Sequence, residues 1–239
     1  MTFPHVPPRL PRPVVFDQVW ADLTFLHWAV DPADVAPYLP PGTRPDVWSD
    51  GATHVGLVPF RMASAGPGTG LPVPFFGRFL ETNIRLYSVD DAGRHGVVFR
   101  SLDATRLAVV LLARWGIRIP YQWSSISLSA AGPVRVYRTA RRWPRPRVTS
   151  EVAVEIGAPT EATPVEEFLT RRWGMHSRFG RRTMWTPNRH DPWVLHEASL
   201  RHLDDGLGAS AGFPLSGAPT LRPLWTAGVR TQFGRPTLI

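Results

Sequence analysis

The chain contains no cysteine and no lysine. Without cysteine there is no disulfide, no thiolate metal site and no thiol nucleophile. All 27 basic residues are arginine, so no side-chain amine exists to form a Schiff base. Long apolar runs are also missing. The longest goes from Leu107 to Ala113, between Arg106 and Arg114, far short of the roughly 20 residues that span a bilayer. No membrane association is expected. The opening M-T-F-P-H-V-P-P-R-L-P-R-P has no apolar core and is unlike a secretion signal, so the cytoplasm is the expected location. No H-E-x-x-H or similar spacing occurs, and neither a metal nor a cofactor is expected. His190, His196 and His202 recur every sixth residue. On a strand that spreads them about 20 Å apart, too far to share an ion. His27 and His54 lie in apolar stretches and read as core histidines.

What is present describes a folded β-rich protein. The 239 residues suit a single domain over 1–239, and 43% hydrophobic against 19% charged residues excludes a disordered chain. With 26 Pro and 20 Gly, the sequence is punctuated too often for long helices. The expected class is α+β, mainly β. The net charge of +8 and pI near 11.1 come wholly from arginine. A compositional bias of the gene produces this as readily as a nucleic-acid partner does.

Taken in order, Asp17 to Val30 is apolar on both alternating faces and reads as a doubly buried strand. Asp31 and Pro32 form a helix start, ended by Pro40-Pro41-Gly42. Thr53 to Met62 is a strand in which Pro59 marks an edge, a bulge or an end. Residues 63–77 form a Gly/Pro-rich loop, with Phe75 and Phe76 either tucked into the core or covering a site. Phe79 to Val89 and Gly96 to Asp103 form a hairpin around D-D-A-G-R-H. A helix is expected over Ala104 to Trp115, capped by Asp103 and ended by Gly116. A-G-P joins two further strands, Val148 to Ile156 is another, and a short helix starts at Pro164 with Arg in its last turn. Short strands follow at S-R-F and R-T-M-W. The segment from Trp193 to Leu203 suits helix or strand, and Leu224 to Phe233 is a closing strand.

The hairpin carries the candidate chemistry. Alternation places Glu81, Asn83, Arg85 and Tyr87 on one face of its first strand and Leu80, Thr82, Ile84 and Leu86 on the other. A central strand with that polar face either shows it to water or lines a polar cavity. In a cavity, Arg85 would hold a carboxylate or enolate oxygen, and Glu81 would act as base or acid. The alternative is an internal ion pair that only satisfies buried groups. Arg100 and Ser101 sit on opposite faces of the partner strand, and one of them can stand beside Glu81. Tyr121 offers a hydroxyl to a ligand or to a local partner. The basic stretch Arg138, Arg141, Arg142, Arg145 and Arg147, with Trp143, could contact nucleic acid; without a recognition motif it reads as a solvated face.

Read together, these segments resemble the DUF2071, or YqjF-like, family. The carrying residues are W-A-D-L-T-F-L-H-W-A-V-D-P from Trp20, L-P-P-G-T from Leu39, G-L-V-P-F-R-M from Gly56 and V-P-F-F from Val73. They continue with E-T-N-I-R-L-Y from Glu81, G-V-V-F-R-S-L-D-A from Gly96, I-P-Y from Ile119 and Y-R-T-A-R from Tyr137. The resemblance implies an acetoacetate decarboxylase-like fold, a curved β-barrel or cone with a few peripheral helices around a polar pocket. In the decarboxylases a lysine in a P-K-K-type segment forms the Schiff base. Here I-P-Y-Q-W resembles that segment with Tyr121 in place of lysine, and Glu81 resembles a pocket glutamate. Lysine-dependent decarboxylation is therefore excluded. The expected function is to bind, with or without transforming, a small polar or anionic carbonyl-type ligand. Glu81 and Arg85 would carry any chemistry, and Asn83, Tyr87, Arg100 and Tyr121 would contact the ligand. A non-catalytic sensor on the same fold is the rival. A nucleic-acid partner is disfavoured, and an oligomer is left open.

Overall fold

The structure is a computed structural model and describes residues 6–69, 73–74, 77–116, 119–144 and 147–239. Strand β1 (Phe16–Val30) leads through α1 (Pro32–Val35), extended by a 3-10 turn at Ala36–Tyr38, and β2 (Thr43–Pro45) to β3 (Thr53–Pro67). The central hairpin is β4 (Phe79–Asp90) and β5 (His95–Ala104), followed by α2 (Leu107–Gly116). Then come β6 (Tyr121–Ala131), β7 (Val134–Trp143), β8 (Thr149–Thr160), α3 (Pro164–Thr170), β9 (Gly174–Phe179) and β10 (Arg182–His190). The chain finishes with β11 (Leu195–Asp205), α4 (Leu207–Ser210), β12 (Leu224–Phe233) and β13 (Thr237–Leu238).

All of these strands join one sheet in the order β13-β10-β9-β5-β6-β7-β8-β11-β12-β1-β3-β4-β2. Two further pairings, β4 with β5 and β10 with β12, join distant parts of that order, so the sheet curls back on itself. The result is the expected mainly-β architecture with few helices.

The local chemistry explains most elements. Asp31 Oδ1 accepts from Ala33 N at 2.7 Å, capping α1 as its sequence position requires. Pro59 lies where the β1–β3 ladder slips, between the pairs Ala21–Arg61 and Leu26–Leu57, so its missing N–H costs no regular bond. Strand β3 continues to Pro67 and takes the first part of the predicted loop with it. Phe75 and Phe76 lie outside the described residues. The ambiguous segment after Trp193 is strand β11, because it pairs along β8.

Three expectations are corrected. Helix α2 begins at Leu107, and Asp103 does not cap it; Asp103 is still within β5, and its carboxylate meets Arg141. Helix α3 ends at Thr170, before its arginines. Arg171 reaches back to Glu167 at 2.6 Å, and Arg172 is buried. The basic stretch is not a uniform solvated face either. Arg141 is only 6% exposed and makes a two-pronged pair with Asp103, both N–H···O distances being 2.8 Å. Arg138 pairs across the strand with Glu151, and Arg142 stacks on Trp123. Arg145 lies outside the described residues.

Candidate functional site

The pleat of β4 sorts its side chains between two interiors. Thr82, Ile84 and Leu86 face one, opposite Asp103, Ser101 and Val98 of β5. Ile84, Leu86 and Val98 pack there with Leu26, Leu57 and Tyr137. Glu81, Asn83, Arg85 and Tyr87 face the other. On that side Tyr87 packs with Leu102, Ile119 and Phe168.

Glu81 is 3% exposed and accepts a hydrogen bond from the Tyr121 hydroxyl at 2.9 Å. Tyr121 arrives there because β6 runs parallel to the end of β5, with Leu102 paired to Tyr121. Burial raises the Glu81 carboxyl from 4.5 to about 7. Hydrogen bonds from Tyr121 and Asn83 pull the other way, and the charge of Asp103 adds to the rise. Among the described residues no cation pairs with Glu81. Burial also raises the Tyr121 hydroxyl well above its usual value, and Glu81 reinforces that. Tyr121 therefore stays a donor, and the pair holds one carboxyl that is close to half-ionised near pH 7.

Further along the face, Arg85 is half-buried and its Nε donates to the Tyr87 hydroxyl at 3.0 Å. Its guanidinium carbon lies 5.3 Å from the centre of the Phe25 ring. The same Tyr87 hydroxyl lies 2.6 Å from His27 Nε2. Burial holds His27 well below its usual pKa, which favours the neutral ring. Gly56 makes this chain of contacts possible. It stands between His27 on β1 and Arg85 on β4, and a Cβ there would meet the Tyr87 hydroxyl at 3.1 Å and Arg85 Cγ at 3.2 Å. Arg172 lies over the Tyr87 ring at 4.8 Å and pairs with Asp46.

Among the described residues two buried atoms of this face lack hydrogen-bond partners: Asn83 Oδ1 and Arg85 Nη2. One is an acceptor and the other a donor. Glu81 and Arg85 form no ion pair among the described residues. At about 3.3 Å per residue their backbones lie about 13 Å apart, with Asn83 between them.

The structure thus brings together Glu81, Asn83 and Tyr121, and separately Arg85 and Tyr87. It does not bring in Arg100. Ile84 pairs with Ser101 but Arg85 with Phe99, leaving Arg100 as the extra residue of a bulge. Its Nε and Nη2 donate to Ala211 O at 3.2 and 3.1 Å, and it lies 4.1 Å from the Tyr38 ring centre. Ser101 shares the face of Ile84, away from Glu81. His27, Gly56 and Arg172 were not read as part of the site from sequence. Only the position of Gly56, in a strand otherwise rich in large side chains, signals a close approach there.

Two concavities lie elsewhere. A groove of about 900 Å³ runs past Trp123, Arg142, Arg147 and Asp204. A cavity of about 210 Å³ includes Arg100, Ile119 and Arg178. Neither is lined by residues 66–77 or by Glu81.

The chain belongs to the DUF2071 family: that family's model, described as an uncharacterized conserved protein, matches residues 17–230. The uncharacterized protein YqjF of Bacillus subtilis is 26% identical over 186 residues, covering 77% of this chain and 76% of that one. Acetoacetate decarboxylase from Legionella pneumophila superposes with a TM-score of 0.65 at 11% identity, over 100% of this chain and 93% of that one. The enduracididine biosynthesis enzyme MppR, solved with the condensation product of pyruvate and imidazole 4-carboxaldehyde, superposes with a TM-score of 0.59 at 16% identity, over 95% and 90% of the two chains. At such identities the two structures establish a shared acetoacetate decarboxylase-like fold.

Proposed function

We propose that the face of Glu81, Asn83 and Arg85 binds a small anionic carbonyl compound and exchanges a proton at the carbon next to its carbonyl. The observation that carries this reading is the Glu81–Tyr121 pair, a buried carboxyl at about 7 with a phenol for a partner and, among the described residues, no cation. A base poised near neutral pH is what abstraction of a carbon-bound proton needs. The C–H bond breaks, its proton goes to the Glu81 carboxylate, and the electron pair moves onto the carbonyl oxygen as an enolate. Arg85 Nη2 offers an N–H to the ligand's negative charge, and Asn83 Oδ1 an acceptor for a hydroxyl. The fold adds support, since the MppR structure holds a product of pyruvate. With Glu81 3% exposed, the covering groups must part for a ligand to reach it. The two unsatisfied atoms equally favour a binder that does no chemistry.

One experiment separates the two. Pyruvate and acetoacetate are incubated with the protein in D2O, and loss of their α-proton signals is followed by NMR. Exchange above the buffer rate that falls about 100-fold in Glu81→Gln is expected for proton transfer. Saturable binding without exchange leaves the sensor. Neither binding nor exchange across a panel of 2-oxo and 3-oxo acids would sink the assignment.

A further inference from the structure

Strand β5 forks. Its end, from Leu102 to Ala104, pairs with β6, whereas Val97 pairs with β9. Between these contacts lies the Arg100 bulge, and there β6 and β9 diverge around the cavity of about 210 Å³. Its charge is easily stated. Arg100 and Arg178 line it, with His176 and Ser177. Both His176 nitrogens are taken up by Ser88 and Asp90, and burial lowers the ring to about 4, so it is neutral. The two guanidiniums are therefore the net charge of the site.

Among the described residues neither arginine meets a carboxylate. Arg100 donates to Ala211 O, and Arg178 Nη2 donates to Leu39 O at 3.0 Å. Carbonyl oxygens satisfy N–H groups without neutralising the charge. A half-buried guanidinium without a counter-charge is unfavourable, and an anion beside it restores the balance. The cavity is smaller than the roughly 300–1,000 Å³ that accommodates drug-sized molecules, so its occupant has only a few heavy atoms. We propose that the cavity at the β5 fork is a binding site for a small oxyanion, a carboxylate or a phosphate, held by Arg100 and Arg178 and independent of the Glu81 face.

The test is calorimetric titration of the full chain with sodium phosphate and, separately, sodium acetate, at ionic strength fixed by sodium chloride. Saturable one-site binding of at least one anion is expected, and whichever binds tighter identifies the chemistry. Affinity is expected to drop at least tenfold in Arg178→Gln and in Arg100→Gln and to stay unchanged in Glu81→Gln. Arg178 is exposed and lies outside the core, so Arg178→Gln folds and decides the matter even if Arg100→Gln does not. Absence of saturable heat with both anions would overturn the proposal. So would unchanged affinity in Arg178→Gln, or binding lost in Glu81→Gln alone, which would move the anion to the other face.

Discussion

Replacing Glu81 by Gln tests the environment of the carboxyl without any ligand. Folding raises this group from 4.5 to about 7, so the native state binds its proton more tightly than the unfolded chain does. Its contribution to stability is fully present below pH 4.5 and is lost as pH rises through 7. At ~1.4 kcal/mol per pH unit the whole rise corresponds to about 3 kcal/mol. Gln keeps the shape and an acceptor for the Tyr121 hydroxyl but does not titrate. The buried histidines titrate in the opposite sense: His176 and His190 both fall to about 4, so their contribution is present above pH 6.5 and is lost as pH falls toward 4. They occur in both proteins and cancel in the comparison. Urea unfolding of wild type and Glu81→Gln at pH 5, 6, 7 and 8 gives the difference directly. The variant is expected to gain on the wild type with pH, by about 2.5 kcal/mol between pH 5 and 8. A difference that stays constant over this range refutes the buried, unpaired carboxyl and the proton-transfer role built on it.

Arg141→Ala leaves the Asp103 carboxylate buried without its cation and is expected to cost about 3–5 kcal/mol in urea unfolding. Arg138→Ala, which removes only an exposed partner of Glu151, should leave the melting temperature unchanged. Gly228→Ala is expected to destabilise by more than about 3 kcal/mol or to prevent folding, since φ is +134° there and a Cβ would lie 1.9 Å from Trp20 O. Incubation with pyruvate and borohydride is expected to leave the intact mass unchanged, because no lysine is available to form an imine; an adduct on the protein would show that an amine does the work.

The sequence makes the strands legible because their signals are local. Alternation, turn residues and caps each act within a few positions, and they locate the β4–β5 hairpin, the Asp31 cap and the A-G-P turn. The Arg100 bulge is not local in this sense. Nothing in G-V-V-F-R-S-L-D says that Arg85 will pair with Phe99 and Ile84 with Ser101; that register is set by both strands together, and it turns Arg100 toward Ala211. The same limit applies to Arg141 and Arg172. In sequence Arg141 sits beside Arg142 and reads as solvated charge, and Arg172 sits beside Arg171 and reads as the last turn of a helix. Each is buried because a carboxylate far along the chain, Asp103 or Asp46, meets it in the folded sheet.

That pairing also explains why the proposed chemistry rests on Glu81 and not on Asp103. The two carboxylates are near neighbours on the central hairpin, and both are almost fully buried. Burial by itself therefore does not distinguish them. Asp103 receives both prongs of Arg141 and a hydroxyl from Ser124 at 2.7 Å. Three hydrogen bonds, two of them from one guanidinium, tie Asp103 into a structural ion pair. Glu81 faces the other way by one step of the pleat, and there it meets a phenol and an amide. Those groups hold it in place without holding it ionised. A lysine at the position of Tyr121 would supply a cation beside Glu81 and drive it toward the carboxylate form. With tyrosine there, the proton remains exchangeable near neutral pH. The absence of lysine thus both excludes a lysine imine and is consistent with the proposed acid–base role of Glu81.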